Sequence, residues 1–379
     1  MEKGARLDIE MNVLILDPFH TGSHAHWSKG MQHFMAETPE VACDLWTLPG
    51  RHWKWRMHGS CGAFAQKAHE QMDIPDAILT TDMLDVAGLR GLLPSAWRSV
   101  PIVMYFHENQ LTFPWSPSDR EKARGLHHTY EFINIQSAVA ADWIWFNSEF
   151  HRRVFCKAAA QFLRKMPDET TMYRPESWVD KSDILPVGIA ETARPDEWRA
   201  VGSPPVILWN HRWEYDKGPD RFRQMLLTLE DTGYDFRLIL CGARYKDAPE
   251  AQAQIEEQFA GKIVHNGYAA SRSDYLALLQ QSDFVLHDPM QEYFGISIAE
   301  AMSCGVVPLV RSDHAYTSWM PEGFRFRDSS DFLSKWKSLL GAGPSARDSA
   351  FSTVEPFFWP TIAEQGLKML RELINRRST

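Results

Sequence analysis

Cysteine is scarce in this sequence of 379 residues, and its few copies follow no motif. The five cysteines are scattered and never spaced as Cys-x-x-Cys; they are Cys43, Cys61, Cys156, Cys241 and Cys304. This pattern argues against a disulfide framework and a cysteine-rich zinc site, and it favours reduced thiols in a cytoplasmic protein.

Long apolar runs are also missing. No run approaches the ~20 residues that a membrane-spanning helix needs, and residues 1–10 have no apolar signal core. We interpret residues 1–10 as a tail, because the periodic sequence starts at Met11, and whether this tail is native stays open. The sequence therefore predicts a cytoplasmic protein without membrane contact.

Positive charge is in the minority. Lys and Arg number 40 against 49 Asp and Glu, which gives a formal charge of −9. This balance argues against bulk, non-specific nucleic-acid binding but permits a local basic patch. The triplet Asp-x-Asp is also absent, although enzymes that hold a diphosphate through a metal ion commonly supply such carboxylates. We therefore expect no metal ion and no cofactor.

Short apolar strands alternate with amphipathic stretches along most of the chain. This alternation predicts βα units and parallel sheets covered on both faces. In the first half, strands are predicted at 12–16, 42–46, 76–80, 101–106 and 143–147, with helices near 24–36, 62–71, 119–141 and 148–165. In the second half, strands are predicted at 206–210, 236–242, 262–267, 283–287 and 305–310.

A segment rich in Pro, Glu, Asp and Thr, residues 166–204, interrupts this alternation. The fold class is therefore α/β, with two doubly wound domains of ordinary size. We predict an N-terminal domain at 11–187, a linker at 188–204, a C-terminal domain at 205–360 and a final helix at 361–379.

Polar residues follow several predicted strands, at the sheet edge where parallel sheets bind ligands. After the first strand, Gly22 and Ser23 form a turn whose amides can face an anion, or simply a turn with a Ser cap. The next residue, His24, either lines a cleft or lies along the helix. His107, Glu108 and Asn109 follow strand 101–106; as core residues each would need a buried partner, which favours a cleft.

Two cations follow the first strand of the second half. Arg212 and Lys217 precede a helix that Pro219 is placed to begin. Cations beside a helix N-terminus suit a diphosphate, while the alternative is a solvated loop with two surface cations.

Two glutamates flank a later helix start. Glu292 precedes a loop, Phe294, Gly295 and Ile296 open the helix, and Glu300 lies one turn inside. The helix start offers amides to a phosphate, Glu292 can accept hydrogen bonds from sugar hydroxyls, and Glu300 can hold a ribose diol. The pattern indicates a sugar-nucleotide site.

One basic stretch stands out in this acidic chain: LPGRHWKWRMHGS, residues 48–60, here called the basic ribbon. Its cations can contact phosphates and its Trp side chains can stack on bases. The alternative is a surface loop that its Trp residues anchor to the core. Other basic groups either extend this patch or are solvated helix faces; they are Arg120, Lys122, Arg124, Arg152, Arg153 and Lys157.

The second half resembles the retaining GT-B glycosyltransferases through Glu292, Glu300 and GVVP at 305–308. The resemblance implies two Rossmann-like domains facing a central cleft, with the C-terminal helix crossing back to the N-terminal domain. It also implies that Arg212 and Lys217 bind the donor diphosphate and that His107 contacts the donor sugar, so that these three and Glu292 are catalytic. Donor contacts are further implied for Gly22, Ser23, Phe294, Gly295, Ile296 and Glu300. The first loop departs from the usual glycine pair.

The first half resembles the tRNA-queuosine α-mannosyltransferase family through LILDPFHTGSHAHW (14–27), the basic ribbon, YFHENQLTFPW (105–115) and FNSEFHRRVF (146–155). That family implies transfer of mannose from GDP-mannose to the cyclopentene diol of queuosine in tRNA. The nucleotide, the sugar, the acceptor and the oligomeric state stay open. Acceptor contacts are implied for His24, Arg51, Trp53, Lys54, Trp55, Arg56, Glu108 and Asn109.

Three alternatives accompany this interpretation. The first is a GT-B glycosyltransferase with a small-molecule, lipid or glycan acceptor. The second is a catalytically silent RNA-binding relative, against which the intact Arg, Lys and Glu set argues. The third is a sugar-nucleotide epimerase, which leaves the basic ribbon without a role.

Overall fold

The structure is a computed structural model that describes residues 10–115, 124–244 and 250–378. Residues 1–9 of the predicted tail at 1–10 and the basic residues Arg120 and Lys122 lie outside this range. The chain forms two compact units. One contains the described residues up to Gly188 together with the segment from Trp359, and the other is Ile189–Phe358.

The first unit contains a six-stranded parallel sheet of order β2-β1-β3-β4-β5-β6. Its strands are β1 (Met11–His20), β2 (Val41–Pro49), β3 (Ala77–Thr81), β4 (Ile102–Phe106), β5 (Trp143–Phe146) and β6 (Ser182–Ile184). Its first helices are α1 (Gly22–Ala36), α2 (Trp53–His69), α3 (Val86–Leu92), α4 (His128–Ala140) and α5 (Glu149–Leu163), with 3-10 turns at Ser95–Trp97 and Pro175–Lys181. β3 and β4 are buried along their whole length, as apolar parallel strands should be.

The second unit contains a parallel sheet of order β12-β11-β10-β7-β8-β9. Its strands are β7 (Val206–Trp209), β8 (Arg237–Leu240), β9 (Ile263–Asn266), β10 (Phe284–His287), β11 (Val307–Arg311) and β12 (Arg325–Phe326). Its helices are α6 (Pro219–Asp231), α7 (Glu250–Gln258), α8 (Arg272–Gln281), α9 (Ile296–Ser303), α10 (Tyr316–Trp319), α11 (Ser329–Ala342) and α12 (Pro344–Val354). Short 3-10 turns lie at Tyr215–Lys217, Ala260–Lys262, Glu322–Phe324 and Glu355–Phe357.

The last helix, α13 (Trp359–Ser378), packs on α1 within the first unit. The Trp359 ring lies so close to Gly30 and Gly188 that a Cβ added at either glycine would meet ring atoms at 2.1 and 2.2 Å. The expectation that the C-terminal helix returns to the N-terminal domain is therefore confirmed. None of the helices in the described ranges has the length and apolar character needed to cross a membrane.

The helix prediction was wrong at two places. A helix was expected at 62–71, but α2 begins at Trp53, so residues 53–60 of the basic ribbon are helical. The helix expected at 119–141 begins at His128 where the chain is described, after turns at 124–127. The patterns also missed α3 and the short strands β6 and β12. Segment 189–204 groups with the second unit.

Each sheet reverses its strand order at one place, which is where open α/β sheets bind ligands. In the first unit the reversal falls between β1 and β3, and in the second it falls between β7 and β10. The segments that follow the carboxyl ends of β1, β7 and β10 contain the residues predicted to bind the donor, whereas His107, Glu108 and Asn109 follow β4 and the basic ribbon follows β2.

Candidate active site

The loops after β7 and β10 meet at Lys217. Its Nζ lies 3.2 Å from Oδ2 of Asp216 and 3.2 Å from Oε2 of Glu292. An ammonium has three N–H donors, so two directed at these carboxylates leave a third for a phosphate oxygen. Arg212 is 54% exposed and pairs with Glu214 at 3.0 Å. The structure thus places Lys217 and Glu292 in direct contact.

The Lys217 and Glu292 pair is charged although it is buried. Burial by itself lowers the pKa of Lys217, but the Glu292 and Asp216 carboxylates outweigh it, so the pKa is raised. Burial likewise raises the pKa of Glu292, but Lys217 and His211 outweigh it, and the net pKa is lowered. A fixed ammonium is therefore present at neutral pH, which suits an anionic leaving group.

The start of α9 is shaped for close approach. Gly295 has a φ of +94°, and a Cβ there would lie 2.7 Å from Cε1 of Tyr316, so both the backbone and the space require glycine. Glu292 Oε1 accepts from the amides of Tyr293 and Phe294 at 3.2 and 3.3 Å. The glutamate is thereby fixed beside the helix start, whose first-turn amides have no partner inside the helix.

Glu300 on α9 is held by two side chains of α8. Arg272 Nη2 lies 2.7 Å from Oε1, and the Tyr275 hydroxyl donates to Oε2 at 3.3 Å. Asn210 donates to the Tyr275 hydroxyl at 3.0 Å and to the Ser297 carbonyl at 2.8 Å. The sequence predictions missed Arg272, Tyr275 and Asn210. These residues are distant from Glu300 in the sequence, and no local pattern indicates that side chains of α8 contact α9.

A buried pair of histidines lies next to this helix start. The rings of His211 and His287 stack with centroids 3.8 Å apart, and burial lowers the pKa of both well below the ordinary value. His211 Nδ1 lies 2.8 Å from the Ser297 hydroxyl, and His287 Nδ1 lies 2.6 Å from that of Tyr316. Neutral rings thus connect α9 with α10. Sequence patterns gave no signal for this pair.

In the first unit, His107 lies among other polar groups at the carboxyl ends of β1, β3 and β4. Its ring centroid is 4.3 Å from that of His24, and Asp82 Oδ1 accepts from its backbone amide at 2.8 Å. Burial lowers the pKa of His107 to about 3 and raises that of Asp82 to about 6. His107 is therefore a neutral hydrogen-bonding group. Gly22, with a φ of +51°, and the exposed Ser23 begin α1 nearby in the chain.

The two residues after His107 differ in exposure. Glu108 is partly exposed, but Asn109 is fully buried. The Asn109 Oδ1 atom accepts from the Thr112 amide at 3.0 Å and from its hydroxyl at 3.1 Å. These hydrogen bonds fix the turn after β4, and the acceptor contact of Asn109 stays a prediction.

Two groups among the described residues have a spacing that could hold a metal ion: His24, Asp82 and His107, and His127, His128 and Glu131. The first group is buried and the second is partly exposed. Neither includes Lys217, Glu292 or Glu300. The expectation of a metal-independent reaction stays a prediction.

The basic ribbon is the start of α2, and its two Trp side chains differ. Trp53 packs on Trp115 and Tyr130, with ring centroids 5.5 and 5.1 Å away, whereas Trp55 is 63% exposed. Lys54 Nζ lies 5.5 Å from the Trp115 ring centroid, and Arg56 Nε donates to the Pro49 carbonyl at 3.1 Å. The alternative of a surface loop that both Trp side chains anchor to the core is wrong: residues 53–60 are helical, Trp53 anchors the helix, and Trp55 faces solvent.

The additional basic residues are less uniform than a patch requires. Arg124, Arg153 and Lys157 are exposed. Arg152 is only 20% exposed and pairs with Glu149 one turn earlier on α5.

Comparison with solved structures identifies the fold. The N-terminal domain of Candida albicans trehalose-6-phosphate phosphatase superposes with a TM-score of 0.70 at 13% identity, covering 98% of this chain and 99% of that one. Sucrose-phosphate synthase from Thermosynechococcus elongatus gives 0.69 at 13% identity, covering 97% and 100%. Residues 191–318 match the family of glycosyl transferases group 1. The chain is a glycosyltransferase of the GT-B fold.

Residues 12–189 match the N-terminal model of the tRNA-queuosine alpha-mannosyltransferase family. A tRNA-queuosine alpha-mannosyltransferase from Drosophila melanogaster is 29% identical over 341 residues, or 86% of this chain and 85% of that protein. A GDP-mannose-dependent alpha-(1-6)-phosphatidylinositol dimannoside mannosyltransferase from Mycobacterium tuberculosis is 26% identical over 249 residues, or 64% and 58%. The resemblance inferred from the motifs is confirmed.

Proposed function

We propose that this glycosyltransferase transfers mannose from GDP-mannose to the cyclopentene diol of queuosine in tRNA, with retention of configuration and in the cytoplasm. The observation that carries the proposal is the similarity to the Drosophila enzyme, which extends over 86% of the chain and so includes both units. The M. tuberculosis relative also takes mannose from GDP-mannose by its name, which supports the choice of donor.

The donor side of the proposal rests on the contacts around α9. The diphosphate takes the free donor of Lys217, the Arg212 guanidinium and the amides near Gly295. The sugar hydroxyls face Glu292, and Glu300 binds the ribose diol, held by Arg272 and Tyr275. Contacts from Gly22, Ser23, Phe294 and Ile296 complete this proposed set.

The chemistry follows from where charge develops. As the sugar–phosphate bond lengthens, the diphosphate gains negative charge, and preorganised cations and amides stabilise it. The acceptor hydroxyl attacks from the face that the diphosphate leaves, and a diphosphate oxygen takes its proton. His107, neutral because it is buried, exchanges a hydrogen bond with a sugar hydroxyl without transferring a proton.

Metal independence is part of the proposal, because Lys217 and Arg212 supply the positive charge that a divalent ion would otherwise bring. We expect the same initial rate of transfer with about 5–10 mM EDTA as without it. Activity that is lost in EDTA and restored only by Mg²⁺ or Mn²⁺ would contradict this part of the proposal.

The acceptor is tested by mass spectrometry of tRNA nucleosides from cells with and without this gene. We expect a hexosyl-queuosine that disappears with the gene and returns with the wild-type gene but not with an Arg212→Ala variant. Purified protein should form the same nucleoside from queuosine-containing tRNA and GDP-mannose. An unchanged nucleoside profile would favour a small-molecule or glycan acceptor.

A further inference from the structure

The Trp55 side chain has an unusual position on α2. Its indole is 63% exposed and lies against Gly59, one turn further along the same helix. A Cβ added to Gly59 would lie 2.6 Å from both Cε2 and Cζ2 of Trp55 and 3.1 Å from Nε1. Real Cβ atoms do not approach so closely, so any side chain at residue 59 displaces the indole. Glycine is what lets the ring lie along the helix.

Apart from its contact with Trp55, glycine is poorly suited to residue 59. Gly59 lies inside the 17-residue helix α2, and glycine is the poorest helix former after proline. Gly62, one turn further on, is exposed, and a Cβ there would meet nothing within 4 Å. The two glycines thus offer the same substitution on the same helix, one beneath an indole and one in open space.

The segment of the chain that contains Trp55 carries positive charge and no acid. No Asp or Glu occurs between Asp44 and Glu70, while Arg51, Lys54, Arg56 and Lys67 fall in this interval. Trp53 is occupied by Trp115 and Tyr130, so Trp55 is the ring of the basic ribbon that can receive a partner. A flat exposed ring in a basic segment is complementary to an unpaired base between phosphates.

We propose that Trp55, seated on Gly59, is a stacking platform for an unpaired base of the RNA acceptor. This inference rests on the proposed tRNA acceptor and adds the contact that holds it. Gly59 acts as a positioning residue, because it touches the indole and not the RNA. The ring presents its outer face to the base, and the neighbouring cations contact the backbone phosphates.

The experiment compares Trp55→Ala, Trp55→Phe, Gly59→Ala and Gly62→Ala in the full chain, with queuosine-containing tRNA as the probe. Loss of one stacked base corresponds to about a five- to hundredfold weaker Kd. We expect a loss in this range for Trp55→Ala and Gly59→Ala, a smaller loss for Trp55→Phe, and a Kd within about twofold of wild type for Gly62→Ala. Both alanines favour the helix, so weaker binding by Gly59→Ala cannot come from unfolding of α2, which circular dichroism checks.

Two further measurements separate positioning from other causes. If Gly59 acts through the ring, adding Gly59→Ala to Trp55→Ala weakens binding no further. Since stacking releases no counterions, the slope of log K against log salt should stay that of wild type in both variants. GDP-mannose binding should not change.

Binding by Gly59→Ala that equals Gly62→Ala, or by Trp55→Ala that equals wild type, overturns the platform. Mannosyl transfer to tRNA that continues in those cases leaves the proposed function intact. A wild-type protein that neither binds nor modifies tRNA overturns both.

Discussion

The two basic clusters of this chain differ in how their charge is used. At the start of α9, Lys217 lies within 3.2 Å of two carboxylates, and its side chain is only 18% exposed. In the basic ribbon, Lys54 lies over aromatic rings, Arg56 bonds a carbonyl, and Arg51 is exposed. The first arrangement fixes one cation for a small anion with a defined position. The second spreads its charge along a helix start, with Arg51 exposed and Lys54 and Arg56 half-buried, an arrangement that suits an extended polyanion.

The largest effect should come from the fixed cations. Replacing Lys217 or Arg212 by Ala should lower kcat at least ~100-fold, the scale of losing one group that stabilises transition-state charge. Steady-state transfer assays measure this. Arg237→Ala is the matched control and should keep full activity, since Arg237 is the first residue of β8 and lies at the amino end of its strand, away from the loops after β7 and β10.

The Arg212→Ala variant distinguishes a loss of catalysis from a loss of stability. Arg212 is exposed, so its removal leaves no buried charge alone, whereas loss of Lys217 leaves Asp216 and Glu292 facing each other. A Lys217→Ala protein that melts early would therefore be uninformative about catalysis, but a fully active Arg212→Ala protein would contradict the diphosphate assignment.

The displayed cations should matter for RNA and not for the donor. Reversing Arg51, Lys54 and Arg56 to Glu should weaken tRNA binding about ten- to fiftyfold near 0.1 M salt and reduce the salt slope by up to about 3. GDP-mannose binding should survive. Lys67→Glu, on the same helix but over the Trp46 ring, is the control with a smaller effect. Unchanged tRNA affinity in the triple variant would remove the distinction between the clusters.

The sequence predicted the local structure of the donor side well, because the residues that form it are close together in the sequence. A strand end, a helix start at Gly295 and two glutamates eight residues apart are all local features. It could not predict Arg272, Tyr275 or the stacked pair of His211 and His287, since these contacts join segments that are distant along the chain and share no periodic pattern.

The basic ribbon was harder to predict for a different reason. Its Trp, His and Gly residues are mediocre helix formers, and its apolar spacing is interrupted by cations, so a loop was expected. Packing of Trp53 and Met57 against Tyr130 of α4 overrides that local preference. This tertiary contact also makes the environments of the two Trp side chains differ, although the sequence predicted the same role for both.

A smaller effect is expected where a positioning group is trimmed on the donor side. Tyr275→Phe removes one hydroxyl that donates to Glu300 and accepts from Asn210. One hydrogen bond of this kind contributes about 0.5–1.5 kcal/mol, so the KM for GDP-mannose should rise about two- to tenfold with kcat little changed. Tyr234→Phe, whose ring meets Trp336, should behave as wild type. A change confined to kcat would contradict a ground-state role in ribose binding.

The last effect concerns stability and arises from the buried histidines. Burial lowers the pKa of His107, His151, His211 and His287. These groups bind protons on unfolding at any pH below their unfolded pKa of about 6.5 and above their folded pKa. Their contribution to stability is thus complete above about pH 6.5 and is lost as the pH falls. Asp82, with its pKa raised to about 6, opposes this by roughly one proton between pH 6 and 4.

We therefore expect the melting temperature to fall between pH 7 and pH 5. The free energy of unfolding should fall by at most about 1.4 kcal/mol per pH unit for each histidine that the opposing proton of Asp82 does not offset. Differential scanning fluorimetry measures the fall. His287→Gln, which keeps a hydrogen-bonding group near the Tyr316 hydroxyl, should show a shallower dependence because one proton-binding group is gone. An equally steep fall in His287→Gln would mean that the pair beside α9 is not neutral, and the donor side would then owe part of its positive charge to histidine as well as to Lys217.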